Sequence, residues 1–192
     1  MGPRAAYHHG DLPATLVRTA IELLDTEGAD ADLSLRAVAR SAGVSAGAPY
    51  RHFADRNALL SAVAAVGYRE LAAALHTAQP DPRSADDLAD LAVAYVQFAI
   101  GRPALFRVMF VGACDHDNAD RVEAVGALNA YLLGIVARVI GADKPEPVAV
   151  GAWAMVHGLA FLFLDGKLDA SSPARVAAQV RSIVSATLGL RG

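Results

Sequence analysis

Apolar positions recur every three or four residues along almost the whole chain, which is the spacing of an amphipathic α-helix. In the first such segment they are Leu12, Leu16, Ala20, Leu23 and Leu24. No alternation of apolar and polar positions is long enough to predict a β-strand. The pattern predicts an all-α protein of about nine helices.

Capping residues mark the predicted helix boundaries in the N-terminal part. Asp11 is the expected N-cap of the first helix, and Ser34 caps a short second helix. Gly43 stops the second helix, and a short third helix follows Ser45. These elements predict a small N-terminal unit, residues 1–56.

A larger helical body, residues 57–192, shares the long fourth helix, which Asp55 opens and which runs to about Thr77. The segment QPDPRS, residues 79–84, has two prolines with polar flanks and is the clearest linker. Ser84 and Asp87 form a capping-box pattern after it. The remaining helices are predicted to begin at Ser84 and Pro103 and to span residues 122–140, 148–164 and 173–188.

Composition says more about the cellular compartment of the protein than about what the protein binds. The 192 residues carry a net charge of −3, which does not decide on its own whether the partner is a nucleic acid. The single cysteine, Cys114, cannot form an internal disulfide, and the N-terminus lacks the apolar core of a signal peptide. We therefore predict a cytoplasmic protein.

One segment is apolar enough to require a membrane test. Residues 147–164 contain no formal charge over 18 positions, the lower edge of a spanning helix. The segment opens with proline, contains His157 and lacks a flanking basic cluster. We predict a buried helix and no membrane partner.

The second and third predicted helices have the spacing of a helix-turn-helix. They are short and are joined by a turn of three or four residues that contains Gly43. Ala39 is small where the two helices approach, and Val44 and Phe53 are placed to pin the pair to the first helix. Pro49 would lie at the end of the first turn of the third helix, where it disrupts little.

The same region is locally basic. Residues 36–56 hold four arginines and one histidine against a single acid, Asp55, and the basic residues are Arg36, Arg40, Arg51, His52 and Arg56. A basic patch on a helix-turn-helix favours double-stranded DNA as the partner.

Three segments resemble the TetR family of bacterial transcriptional regulators. SLRAVARSAGVSAGAPYRHFADRNALL, Ser34 to Leu60, is similar to its DNA-binding signature. YHHGDLPATLVRTAIELLDTEG resembles the arm and first helix of one branch. WAMVHG, Trp153 to Gly158, is similar to the Trp-His-Gly element for which that branch's C-terminal domain is named.

The resemblance implies a set of DNA contacts. Tyr50 and His52 would bind phosphates, as would Ser34 at a helix N-terminus and Arg56 at the start of the fourth helix. Residues 45–48 would face base edges, and an arm with Tyr7, His8 and His9 would lie near the minor groove. The full set is Ser34, Arg36, Ser45, Ala46, Gly47, Ala48, Pro49, Tyr50, Arg51, His52 and Arg56.

Residues 46–49 offer no side-chain donors or acceptors, so they can read bases only through apolar contacts. Our hypothesis is that Arg36, Arg51 and Ser45 supply most of the hydrogen-bonded readout, with DNA shape adding the rest.

The predicted helix over residues 148–164 is apolar on two faces, so one face needs a partner chain. The family resemblance implies a homodimer through the last two helices, which would set two helix-turn-helix units on a palindromic operator. Gly151 and Gly158 would permit close helix approach.

The resemblance also implies a small-molecule effector bound in the body. The candidate set contains few charges, so an apolar or aromatic effector is expected, and Arg102 and Arg107 are expected to face solvent. The candidates are Phe98, Phe106, Met109, Phe110, Tyr131, Trp153 and His157.

The resulting prediction is a regulator, by family habit a repressor, that a ligand releases from DNA. One alternative is a helical dimeric binding protein without DNA regulation. Another is a metal- or thiol-dependent enzyme at Cys114–Asp117, within CDHDNAD. Those side chains are adjacent in a loop with no second cluster, so we predict no catalytic residue, metal or cofactor.

Overall fold

The computed structural model describes residues 11–110, 118–141 and 144–187. These residues form α-helices and 3₁₀ turns and contain no strand, which confirms the all-α prediction. The eight α-helices are α1 (Leu12–Glu27), α2 (Leu35–Ser41), α3 (Arg56–Ala78), α4 (Ala85–Gly101), α5 (Pro103–Phe110), α6 (Ala119–Ile140), α7 (Pro145–Leu164) and α8 (Pro173–Thr187).

The difference from nine helices lies at the predicted third helix, where the structure has a turn followed by the 3₁₀ turn Pro49–Arg51. Pro49 has no N–H to donate to the Ser45 carbonyl, which instead accepts from the Ala48 N–H at 3.0 Å. The Pro49 carbonyl then accepts from the N–H groups of His52 and Phe53, both at 2.9 Å. The segment therefore forms a 3₁₀ turn and not an α-helix.

The predicted caps set the helix starts. Asp11, Ser34 and Asp55 each accept the N–H of the residue three positions on. At α4 the capping box is complete, because the Asp87 N–H donates to Ser84 Oγ at 3.2 Å and the Ser84 N–H donates to Asp87 Oδ2 at 2.8 Å. Local sequence chemistry therefore fixes where these helices begin.

Helix α3, the predicted fourth helix, lies at the centre and packs against α1, α4, α5 and α6. At Gly67 it approaches α5 so closely that a Cβ would lie 2.6 Å from the Met109 Sδ. Tyr68 donates its hydroxyl to the Met109 carbonyl at 3.0 Å. One buried core runs from Leu16 in α1 to Val184 in α8, and the boundary at residue 56 stays a prediction.

A charged link joins the N-terminal unit to the body. Arg102, at the end of α4, donates to Asp25 in α1 at 3.1 Å and to Glu70 in α3 at 2.8 Å. Its side chain is 29% exposed, so these pairs are partly shielded from water. Arg107 pairs with Asp165 at 2.5 Å. We had expected both arginines to face solvent, but each forms an ion pair within the protein.

Three helices, α3, α6 and α7, are long and apolar enough to cross a membrane by length and composition, and α4 with α5 would be a fourth candidate but is bent by 105°. The protein buries 56% of the most apolar window of α3, against 22% for α6 and 17% for α7. The predicted burial of α7 on both faces is therefore not reached within one chain.

Candidate functional site

The turn after α2 has the backbone that the helix-turn-helix prediction requires. Gly43 has φ of +69°, and its N–H donates to the Arg40 carbonyl at 3.2 Å while the Val44 N–H donates to the Ala39 carbonyl at 3.0 Å. This pair of bonds is a Schellman motif, which favours glycine at the left-handed position. Val44 packs against the core and Phe53 is buried, as predicted.

The basic residues of this unit lie on its surface. Arg36, Arg40, Arg51, His52 and Arg56 are all exposed. Within the described part of the chain, none of the four arginines forms a salt bridge. The nearby acid Asp55 is committed to capping α3, where its Oδ1 accepts the Ala58 N–H at 2.9 Å. The face therefore presents a net positive charge, although the Asp32 carboxylate lies near enough to Arg40 and Arg56 to interact with both electrostatically.

Ser34 is half-buried and already has two intramolecular bonds. Its Oγ accepts the Ala37 N–H at 3.2 Å, and its own N–H donates to Asp32 Oδ1 at 2.9 Å. The Ser34 backbone N–H is the main reason why the pKa of Asp32 lies below its usual value. The Ser34 side chain also hydrogen-bonds the Asp32 carboxylate, so the phosphate contact that the resemblance implies for Ser34 stays a prediction.

The residues after the turn divide into surface and interior. Ser45, Ala46 and Gly47 are exposed and Tyr50 is 51% exposed, an unusual position for an aromatic ring. Ala48 is half-buried. Pro49 is buried, so its ring packs inside the unit, and we remove it from the set of expected DNA contacts.

In the body, polar groups of α4 and α7 form a short hydrogen-bonded chain among aromatic rings. The Trp153 Nε1–H donates to the Tyr95 hydroxyl oxygen at 3.2 Å, and that hydroxyl lies 2.9 Å from His157 Nδ1. Burial raises the pKa of the Tyr95 hydroxyl far above its usual value, so the hydroxyl keeps its proton and can donate it to Nδ1 when that nitrogen is unprotonated. Burial also lowers the pKa of His157, which is consistent with a neutral ring that carries its proton on Nε2.

Beside this chain lies an apolar cavity of about 70 Å³. Its walls come from α3, α4, α6, α7 and α8 and carry no charged side chain. Tyr95 and Trp153 are the wall residues with a hydrogen-bonding side chain. The other wall residues are aliphatic apart from one methionine: Leu75, Leu88, Leu91, Ala92, Leu132, Ile135, Val136, Ile140, Ala149, Ala152, Met155, Val156 and Val184.

Comparisons with protein families match most of the chain in two parts. Residues 16–63 match the family described as "Bacterial regulatory proteins, tetR family". Residues 88–187 match "Tetracyclin repressor-like, C-terminal domain". The chain belongs to the TetR family. It is a transcriptional regulator with a DNA-binding helix-turn-helix.

Solved structures show the same TetR fold. A Rhodococcus sp. RHA1 protein of unknown function is 34% identical, with a TM-score of 0.77 over 96% of this chain and 98% of its own. A bacterial regulatory protein of the tetR family from Rhodococcus RHA1 is 21% identical, with a TM-score of 0.70 over 94% and 98%. The TetR family regulator PfmR from Thermus thermophilus is 18% identical, with a TM-score of 0.65 over 92% and 96%. No curated protein matches the chain in sequence.

The predicted effector-binding residues of this TetR protein lie in different parts of the structure. Of the seven, Trp153 lines the cavity. Phe106 and Met109 are fully buried core, and Phe98 is half-buried against that core. Phe110 and His157 belong to the aromatic cluster beside the cavity, with their ring centroids 4.5 Å apart.

Tyr131 lies apart from the cluster, and its hydroxyl donates to the Gln79 carbonyl at 3.3 Å. The residue that sequence reasoning missed is Tyr95. A tyrosine inside an apolar helix needs a polar partner, and this was the available signal.

The remaining predictions concern chemistry other than DNA binding. The candidate enzyme site Cys114–Asp117 and the arm with Tyr7, His8 and His9 lie outside the described residues. Among the residues that are described, no group of three potential metal ligands is close enough to hold an ion. Placement in the Trp-His-Gly branch stays a prediction.

Proposed function

We propose that this TetR regulator binds a palindromic operator as a homodimer and represses transcription until a small apolar ligand releases it. The observation that carries the proposal is the exposed basic face of the helix-turn-helix, whose arginines form no salt bridge within the described chain. Exposed arginines beside an exposed tyrosine are suited to a phosphate backbone.

Within this face the roles divide by side-chain chemistry. Tyr50, His52 and Arg56 are assigned to phosphates because they are exposed and carry donors. The exposed segment 45–47 offers one hydroxyl and otherwise little bulk, so it allows the backbone to come close to base edges. Arg36 and Arg51 supply the guanidinium groups that can recognise guanine.

The proposed dimer covers the apolar surface that one chain leaves open. Val150 is 60% exposed and Leu162 is 43% exposed on α7. The small residues Gly151 and Gly158 are exposed on the same helix and have open space around them. A second copy packed on α7 and α8 would bury this surface, which also favours a soluble cytoplasmic dimer over a membrane-bound chain.

Helix α3 supplies a physical route from ligand to DNA. It begins at Arg56, beside the basic face, and its Leu75 lines the cavity just over five turns away. A ligand that shifts Leu75 therefore moves the helix that carries a DNA contact. In a dimer this movement would change the distance between the two reading heads.

Selection from random DNA duplexes by the full-length protein tests the proposal. We expect enrichment of an inverted repeat with half-sites about one helical turn apart, or a multiple of it. A variant with Arg36, Arg51 and Arg56 replaced by glutamine should enrich nothing, and the matched control Arg138→Gln should enrich the same repeat. Failure of the wild-type protein to enrich any sequence would favour the helical binding protein without DNA regulation.

A further inference from the structure

Arg102 lies at the sharp bend between α4 and α5, and both helices fix its backbone. The chain bends by 105° between the two helices. The Arg102 N–H donates to the Phe98 carbonyl at 3.0 Å, and the Arg102 carbonyl accepts the Phe106 N–H at 2.9 Å. The residue therefore closes the last turn of one helix and opens the first turn of the next, which gives its side chain a fixed base.

The Arg102 side chain reaches from this base to two other helices. Its Nε donates to Asp25 Oδ1 in the last turn of α1 at 3.1 Å, and its Nη1 donates to Glu70 Oε2 in α3 at 2.8 Å. The last turn of α1 has no basic residue of its own, so Arg102 supplies the positive charge that a helix C-terminus favours. Because the guanidinium is planar and rigid, its donors fix the direction of these contacts as well as their distance.

This contact differs in kind from the others that hold the N-terminal unit on the body. Among the salt bridges between described residues, the Arg102–Asp25 pair is the one that joins residues 11–56 to residues 57–187. Helix α1 also packs on α3 and α5, and its buried side chains belong to the apolar core. Apolar burial is non-directional, so it holds α1 on the body but fixes its orientation less sharply than a charged hydrogen bond does.

We propose that Arg102 is a positioning residue that determines which spacing of operator half-sites the regulator accepts. This inference rests on the proposed binding of a palindromic operator by a homodimer. One base pair more or less between the half-sites moves one of them by about 3.4 Å and turns it by about 35° around the DNA axis. A helix-turn-helix unit held at one orientation on the body fits one spacing, whereas a unit that can turn also fits the neighbouring spacings.

Affinity for a series of inverted repeats tests the proposal. The half-sites stay identical, and the spacer is one base pair shorter than, equal to, or one base pair longer than the preferred length. In Arg102→Gln the preference for the best spacing over its neighbours should fall by about fivefold, the scale of a partly exposed ion pair, while the preferred half-site sequence stays the same. Asp25→Ala should have most of this effect, because it leaves the Arg102–Glu70 pair but removes the link to α1.

Arg107→Gln is the matched control. It also breaks an arginine–aspartate pair that starts from α5, but the partner is Asp165, after the end of α7, and the link to Asp25 stays intact. This variant should keep the spacing preference of the wild type.

A second measurement needs neither DNA nor a dimer. Spin labels on Ala14→Cys in α1 and Asp86→Cys in α4, both exposed positions, report the distance between the two helices in a Cys114→Ser background. Dilution with unlabelled protein restricts the signal to pairs within one chain. The distribution of distances should be wider when Arg102→Gln is added and unchanged when Arg107→Gln is added.

Three results would overturn the proposal. An equal loss of affinity at every spacing in Arg102→Gln would mean that the ion pairs only stabilise the fold. The same relaxation of spacing in Arg107→Gln would mean that any lost ion pair has this effect. A distance distribution in Arg102→Gln no wider than that of the wild type would mean that Arg102 does not orient α1. If the wild-type protein selects no inverted repeat, the proposed operator binding fails, and the distance distribution still decides whether Arg102 orients the N-terminal unit.

Discussion

Replacement of Gly67 by alanine tests how tightly α5, which carries part of the aromatic cluster, is held against α3. The new Cβ would lie 2.6 Å from Met109 Sδ, 2.8 Å from Met109 Cγ and 3.2 Å from Leu105 Cδ1, whereas unstrained carbon contacts are about 3.5–4.0 Å. Met109 is 1% exposed, and its carbonyl is held by Tyr68. The side chain therefore has little room to retreat.

Overpacking of this kind costs about 1–3 kcal/mol, and alanine in a helix returns about 0.5–1 kcal/mol relative to glycine. We expect a net loss of about 1–2 kcal/mol, which corresponds to a Tm lower by roughly 2–8 °C for a chain of this size. Differential scanning calorimetry measures this shift directly.

Gly126→Ala in α6 is the matched control, since a Cβ there meets nothing within 4 Å and the Tm should rise by roughly 1–4 °C. A double-mutant cycle with Met109→Ala adds a second readout. The double variant should be more stable than the sum of the single effects, because shortening Met109 makes room for the new methyl group. A Gly67→Ala protein as stable as Gly126→Ala would refute the close α3–α5 packing.

Three further predictions follow from single side chains. Burial lowers the pKa of His157, so the unfolded chain binds a proton at a higher pH than the folded chain does. The free energy of unfolding should therefore fall as the pH drops from about 7 through the ordinary histidine range near 6.5. Chemical denaturation of His157→Gln should show a flatter pH profile. Arg102→Gln should lose about 1 kcal/mol because two partly exposed pairs break, whereas Arg18→Gln, whose partner lies 3.9 Å away at the surface, should change by less than about 0.5 kcal/mol in the same assay. Arg36→Ala should relax preference at particular base pairs in DNA selection, and a uniform loss across sequences would make Arg36 a phosphate contact instead.

The elements that sequence predicted best are those that local chemistry decides. Asp11, Ser34, Asp55 and Ser84 cap helices because a short side-chain acceptor can reach an amide three residues away in any protein. The predicted third helix was wrong for an equally local reason. Pro49 was treated as harmless in a first turn, yet its missing N–H leaves the Ser45 carbonyl to a 3₁₀-type bond.

The cavity could not be predicted from local sequence patterns. Its walls come from five helices, and Leu75 and Val184 are 109 positions apart in the chain, so no periodicity reports that they meet. Aromatic residues and one methionine at helical spacing were chosen as candidates, but Phe106 and Met109 fill the core while aliphatic side chains line most of the space. Exposure of the arginines on the helix-turn-helix was predictable, because helix and turn positions largely determine it.

The dependence of DNA affinity on salt tests the central claim most directly. With a selected inverted-repeat duplex, fluorescence anisotropy should give a steep negative slope of log affinity against log salt, since each phosphate contact contributes about −0.9. Arg56→Ala should make that slope shallower by about 2, one contact from each half of the dimer. Arg138→Ala removes an arginine of α6 that pairs with Asp81, and it should leave the salt slope unchanged. A slope near zero for the wild type, or the same reduction in both variants, would contradict DNA binding through the basic face.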